Sequence, residues 1–360
     1  MATYPTPTLF PNVPLHRDTP LASPPPKPAA DLVGIARLAA DSPCADAKRG
    51  TEYFLLPVRS ILNHCDSKRV PFPWTINPYR GCEFGCRYCY ARYTHEFMEL
   101  DSSDFERKIY AKANAGPIVS RDLAEKHVAD EHIAIGAATD PYQPAEREFG
   151  VTRSVLERLA ERQGLSLSIT TKSDQVVRDI ELLKRISARS SLTINVTIVT
   201  LRTRLARMLE PRAPRPDLRF AAVRRLRDAG IAAGVFMMPV LPGLTDSDAH
   251  FEAMAQAAKK ADAQWFAAAA LFLMPSAAKE FLPLVEEKFP KLAGRYREFY
   301  GRTAYAPETY RREVSERLTA VRKKYGLGTR PESPVRPKSN TQLSFSLGDT
   351  QPVQLTPLDG

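Results

Sequence analysis

The sequence predicts an α/β fold, a partial (β/α)6 TIM-like barrel followed by a C-terminal helical extension. Three observations predict it. Short β-branched or apolar runs alternate with longer amphipathic segments, a pattern that implies parallel strands with right-handed crossovers. Six such runs fall between Trp74 and Leu273, more than a five-stranded dinucleotide sheet needs. No G-x-G-x-x-G follows any of them, which further disfavours a dinucleotide fold.

In chain order the predicted strands are Trp74–Pro78, His132–Ala138, Leu167–Thr171, Leu192–Thr200, Ala233–Val240 and Trp265–Leu273. Helices are predicted over Arg153–Gln163, Val176–Ala188, Arg219–Ala229 and Asp248–Ala261, each with apolar residues three and four apart. In the first of these, Val155, Leu156 and Leu159 form the stripe. The barrel is predicted over 51–275 and the helical extension over 276–328. Residues 1–30 carry nine prolines and no apolar periodicity, so 1–50 is predicted to be a disordered Pro-rich segment. The tail 329–360 has the same character.

The 360 residues contain 51 Lys and Arg against 41 Asp and Glu, a formal net charge of +10. That excess permits an acidic partner without requiring one. No run of about 18 apolar residues is present, so no membrane span is expected. The N-terminus has neither a basic n-region nor an apolar core, and five cysteines do not make a disulfide framework. The expected location is therefore cytoplasmic.

In βα folds the chemistry sits at the carboxyl ends of the strands. Directly after the first strand stand Cys82, Cys86 and Cys89, spaced C-x3-C-x2-C, with Gly81 and Gly85 letting the backbone curl. Three thiolates on one tight loop can ligate three irons of a [4Fe–4S] cluster and leave the fourth iron for a small chelating ligand. Two other readings stay open: three buried thiols that only pack, and a zinc site completed by His95. Cys44 reads as a surface thiol and Cys65 as packing.

With Tyr88, the loop has the pattern C-x3-C-x-aromatic-C, and here the chain resembles the radical S-adenosylmethionine (SAM) enzymes. NPYRGCEFGCRYCYAR, GAATDPYQPAE (136–146), ITTKS (169–173), LEPRAP (209–214) and PVLPGLTD (239–246) resemble the branch related to spore photoproduct lyase, also called DNA repair photolyase-like. The resemblance implies a [4Fe–4S] cluster on Cys82, Cys86 and Cys89, with SAM chelated to its open iron. It implies reductive cleavage of SAM to a 5′-deoxyadenosyl radical that abstracts hydrogen from substrate. An electron donor of flavodoxin or ferredoxin type follows. It places Ala137, Ala138, Thr139 and Asp140 at the SAM amino group, Lys172 and Thr197 near SAM with Asn195 beside them, and Tyr88 against the adenine. The thymine-dimer lyases of this branch return a hydrogen atom from a cysteine just before the T-x-D-like segment. Gly136–Asp140 contains no cysteine, so thiol-mediated dimer reversal is not expected, and Tyr142, Tyr88 or Tyr90 becomes the candidate donor.

The resemblance and the charge pattern together give a nucleic-acid substrate, DNA lesion-like, as the expected partner. Nine arginines lie between Arg202 and Arg227 against Glu210 and Asp217. Arg202, Arg204, Arg212 and Arg215 are expected at phosphates, with Glu210 holding Arg212 or a neighbour. A second basic region, 295–338, interleaves Tyr296, Phe299, Tyr300, Tyr305, Tyr310 and Tyr325, a composition suited to stacked bases. The alternatives are a radical SAM enzyme for a peptide or small metabolite, and a non-catalytic Fe–S or zinc protein. In the tail, Gln342-Leu343-Ser344-Phe345 resembles short peptides that dock on bacterial sliding clamps.

Overall fold

A computed structural model describes residues 28, 31–48, 50–66, 72–126, 128 and 131–331. The strands are β1 (Cys44–Lys48), β2 (Thr51–Leu55), β3 (Leu62–His64), β4 (Trp74–Ile76), β5 (Tyr79–Arg80), β6 (Lys108–Ala111), β7 (His132–Ile135), β8 (Ser166–Thr171), β9 (Ser191–Thr197), β10 (Ala233–Val240) and β11 (Phe266–Ala270). The larger sheet has the order β11-β10-β9-β8-β7-β4-β3. Its strands β4, β7, β8, β9, β10 and β11 run parallel, and β3 is added antiparallel at one edge. These six parallel strands are the six predicted from sequence, and the open order is that of a partial barrel.

Period-two alternation explains why they form one layer with two different faces. On β7 to β10 one set of residues, including Ile133, Ile135, Leu167, Ile169, Ile194, Val196 and Val235, joins the buried core. On β7 to β9 the other set is small or polar and meets across the barrel interior. His132 lies 2.9 Å from Ser166 Oγ and 2.8 Å from Ser168 Oγ. Asn195 lies between Thr170 and Trp265 Nε1.

The helices are α1 (Gly34–Ala40), α2 (Tyr93–Glu96), α3 (Ala115–Glu125), α4 (Glu146–Phe149), α5 (Val151–Leu159), α6 (Ile180–Ser187), α7 (Thr203–Leu209), α8 (Pro216–Asp228), α9 (Asp248–Lys260), α10 (Pro275–Lys288), α11 (Pro290–Tyr300) and α12 (Glu308–Tyr325). Helices α5, α6, α8 and α9 are the four predicted. The run predicted as one helix from Val176 begins as a 3-10 turn over Asp174–Asp179. Pro216 opens α8 at a position where its missing N–H costs nothing. Helices α10 to α12 form the C-terminal extension.

Two expectations are corrected. The segment 1–50 is not uniformly without structure, because α1 and β1 lie inside it and β1 pairs with β2. The residues of β1 are almost all exposed, so no apolar alternation announced the strand. A second sheet, β1-β2-β6-β5, was not foreseen. It flanks the cysteine loop, since β5 ends one residue before Gly81. Residues 1–27 and 332–360, including Gln342–Phe345, lie outside the described residues. Among the described residues no helix is long and apolar enough to cross a membrane.

Candidate active site at the strand ends

The cysteine loop is held in place from both sides. Gly81 has φ +81°, and a Cβ there would meet the carbonyls of Lys108 and Phe105 at 2.7 and 2.8 Å. Glycine therefore lets the loop lie directly on β6. From the barrel side, Thr139 Oγ1 donates to Gly81 O at 2.6 Å and Gln143 Nε2 donates to the same carbonyl at 3.1 Å. The amide of Glu83 donates to Gln143 Oε1 at 2.9 Å, and the Glu83 carboxylate accepts from Ala145 N and Tyr53 OH at 2.6 and 2.8 Å.

Cys82 and Cys86 are buried and Cys89 is partly buried, and all three are free thiols. Burial pushes each thiol up. A thiolate on this loop thus needs a strong local cation, and an iron–sulfur cluster provides one when it binds. The donor set fits a cluster, which spreads three thiolates over three irons. Among the described residues no group of three His, Cys, Asp or Glu side chains is placed to hold a single metal ion. His95 does not complete a zinc site. It is fully buried with Nε2 3.0 Å from the Lys108 carbonyl and its ring edge-on to Phe105, and burial lowers its pKa to about 4.

Beside the loop lies a charged knot centred on Glu210, which is 1% exposed. Its Oε1 accepts from the Tyr88 hydroxyl and stands 3.7 Å from Lys172 Nζ, and its Oε2 pairs with Arg219 at 2.6 Å. Arg219 also donates to the carbonyls of Thr197 and Pro214 at 3.0 and 2.8 Å. Lys172 Nζ lies 5.8 Å from the Tyr88 ring centroid. Burial alone would raise the Glu210 carboxyl, but Arg219, Lys172 and the Tyr88 hydroxyl outweigh it and hold it below the ordinary carboxylate value. From the C-terminal extension, α10 closes over the loop, with Phe281 edge-on to Tyr88 and Glu280 3.3 Å from Arg87.

The structure brings most of the expected residues to these strand ends, though several are already engaged. Asp140 accepts from Thr171 Oγ1, Lys172 N and Tyr142 N at 2.6, 2.7 and 2.9 Å. It ties the end of β7 to the end of β8, and its burial raises its pKa against those bonds. Thr139 spends its hydroxyl on Gly81. The amide of Ala138 donates to Asn77 Oδ1 at 2.7 Å, and Tyr90 donates its hydroxyl to Ala137 O. Lys172 keeps part of its side chain exposed, and Thr197 ends β9.

Three expected residues are enclosed or paired within the fold. Tyr142 is 0% exposed beneath the Arg178 guanidinium, 5.9 Å from the ring centroid. Asn195 is also fully buried, spent on Trp265 and Thr170 inside the barrel. Of the two options for Glu210 it is the neighbour, Arg219, that it holds, while the Arg212 guanidinium reaches the carbonyls of Glu106 and Glu83 and the Thr51 hydroxyl at 3.1, 3.4 and 3.3 Å. Glu83, Gln143 and Arg219 were missed, because partners far apart in sequence leave no local signal.

The family model of the radical SAM superfamily matches residues 76–255. An uncharacterized protein of Mycobacterium tuberculosis is 32% identical over 302 residues, covering 83% of this chain and 87% of that protein. An uncharacterized protein of Methanocaldococcus jannaschii is 28% identical over 255 residues, covering 70% and 86%. Among solved structures, spore photoproduct lyase complexed with dinucleoside spore photoproduct matches with a TM-score of 0.56 at 16% identity, over 76% of this chain and 79% of that one.

Proposed function

The chain belongs to the radical SAM superfamily, an enzyme family that uses a [4Fe–4S] cluster and SAM, and from that premise we propose that it acts on a nucleic-acid substrate, in lesion chemistry of the lyase kind. Cys82, Cys86 and Cys89 would hold the cluster. When bound, cluster and SAM supply reductive cleavage of the sulfonium and hydrogen-atom abstraction from substrate.

The protein's own share is placement. Asp140 and Asn77 fix the backbone at the ends of β7 and β8, which keeps the amides of Ala138 and Lys172 oriented. Lys172 offers a cation to an anionic group in the mouth. Phe281 and Tyr88 wall the cluster loop from water, which strengthens every charge interaction inside. A one-electron donor of flavodoxin or ferredoxin type would supply the reducing equivalent.

The observation that carries the nucleic-acid part is the rim after β9. Arg202 and Arg204 are exposed there and pair with no carboxylate among the described residues. The likeness to a lyase solved with a dinucleoside photoproduct supports the same reading. With no cysteine at 136–140, thiol-mediated dimer reversal is not part of it.

Anaerobic reconstitution with SAM and dithionite tests this, with 5′-deoxyadenosine measured with and without UV-irradiated oligonucleotides. The wild type should form 5′-deoxyadenosine faster with the oligonucleotide and alter it. Cys82→Ala, Cys86→Ala and Cys89→Ala should each abolish the reaction, and Cys44→Ala should not. Turnover stimulated by a peptide or metabolite pool and indifferent to nucleic acid would replace the substrate assignment. Zinc without iron in anaerobically purified protein would sink the cluster.

A further inference from the structure

Glu210 lies in a stretch whose charges read from sequence as phosphate-binding surface, yet it is sealed inside the molecule beside the cysteine loop. A carboxylate at 1% exposure carries a desolvation penalty that only pairing and hydrogen bonding offset. Here it has three partners from three separate elements: Tyr88 on the loop, Lys172 at the end of β8 and Arg219 on α8. The two cations are held unequally. Arg219 is 2.6 Å from Oε2, almost wholly buried, and fixed by two backbone carbonyls as well. Lys172 is 3.7 Å from Oε1 and keeps 15% of its side chain exposed.

These charges act on the cluster ligands. Lys172, Glu210 and Arg219 all bear on the Cys86 sulfur, and Lys172 bears on Cys89. Cys89 also has Arg92 nearby, which is fully buried and paired with Glu106 at 2.6 Å. The surround of the loop therefore holds two Arg–Glu pairs of nearly closed charge, the Lys172 cation, and on the Cys82 side the buried Asp140 carboxyl. Reduction adds one negative charge to a cluster, and nearby fixed charge and hydrogen bonding are among the levers that set its potential. In a dry surround such charges are poorly screened.

We propose that Glu210 is a positioning residue that sets the reducibility of the cluster. It locks Tyr88 and Arg219 against the loop, and its buried negative charge holds the cluster's potential below the value the two cations alone would give. Lys172 pulls the other way. The proposal rests on Cys82, Cys86 and Cys89 holding the cluster, and it is independent of the substrate.

The test is an EPR-monitored redox titration with dithionite and mediators on the reconstituted full chain without SAM, alongside iron content and the visible spectrum. The proteins are wild type, Glu210→Gln, Lys172→Met and Tyr88→Phe. Glu210→Gln keeps the shape and removes the charge, so its midpoint should move positive at equal iron content. Lys172→Met should move negative. Tyr88→Phe leaves every charge in place and should move least. Lys172 is partly exposed, so its variant keeps the proposal falsifiable if Glu210→Gln fails to fold or to hold iron. Midpoints equal to wild type in cluster-bearing variants, or shifts of the opposite sign, would overturn the proposal while leaving the cluster assignment intact. A wild type that assembles no cluster would overturn both.

Discussion

Gly136 ends β7 with φ +86°, and a Cβ there would lie 2.6 Å from Pro141 Cδ and 2.7 Å from the Thr170 carbonyl. The positive φ alone costs an L-residue roughly 1–2 kcal/mol, and the contacts add to it because backbone cannot swing aside. Gly136→Ala should therefore lower the stability of the cluster-free protein by at least that amount in a urea titration. It should also displace Ala137–Asp140 and weaken SAM binding measured by calorimetry. A variant as stable as wild type would show that the turn relaxes freely. At this scale the cysteines were legible, because spacing, aromatic and strand context all lie within one loop. The roles of Thr139 and Asp140 were only half legible. They stand at the end of β7 as expected from the strand order, and their side chains are spent on Gly81 and on the end of β8. The surroundings of Tyr142 were not legible for a related reason: its place in the motif says nothing about the Arg178 guanidinium that covers it.

Between elements, the clearest single tie is that of α3 to the edge strand β3. Asp122, on α3 and 1% exposed, accepts from Ile61 N and Leu62 N at 2.8 and 2.9 Å and from Ser60 Oγ at 2.8 Å. Burial alone would raise its pKa, but the Leu62 amide, the Ser60 hydroxyl, the Ile61 amide and Lys126 outweigh it and lower it below 3.8. A carboxyl depressed in the folded state stabilises fully above its unfolded pKa, and the contribution is lost as pH falls through the folded one. Asp122→Asn should thus cost about 1–3 kcal/mol at neutral pH, with the gap to wild type closing as the medium is acidified below pH 4. Denaturation midpoints at several pH values measure this, and a gap independent of pH would remove the charge from the explanation. The barrel strands were legible at this scale because short β-branched or apolar runs stand out between longer amphipathic segments. Strands β1, β5 and β6 were not, since β5 is two residues long and β1 is almost wholly exposed.

Over the whole molecule the charge is +10, and the fold decides which cations remain free to meet a partner. Of the nine arginines between 202 and 227, the structure internalises or neutralises most. Arg219 is buried on Glu210, Arg212 is spent on carbonyls, Arg215 forms two bonds to Asp217 at 3.0 and 2.6 Å, and Arg224 pairs with Asp228 at 2.8 Å. Arg227 reaches Asp262, and Arg207 donates to the Pro211 carbonyl. Sequence alone ranked these residues by nearness to the fourth strand, because pairing is a tertiary property, and so it placed Arg212 and Arg215 at phosphates beside Arg202 and Arg204. The fold leaves Arg202, Arg204 and Arg225 exposed with no carboxylate partner among the described residues, and of these Arg202, which also donates to the Leu244 carbonyl, and Arg204 stand directly after β9 at the start of α7. Each phosphate contact releases about 0.9 counterion from duplex DNA and about 0.7 from a single strand. Arg202→Ala/Arg204→Ala should then reduce the log–log salt slope of oligonucleotide binding by about 1.4 to 1.8, weakening affinity about equally across sequences because phosphate contacts do not read bases. Arg224→Ala/Arg227→Ala, on the outer helix, should leave the slope unchanged. SAM cleavage without substrate should survive both, since neither touches the cysteine loop or Lys172. Filter binding across a salt series separates the outcomes. A slope that falls for Arg224→Ala/Arg227→Ala but not for Arg202→Ala/Arg204→Ala would place the polyanion on the outer helices, away from the mouth. It would then have no path to the reacting atoms.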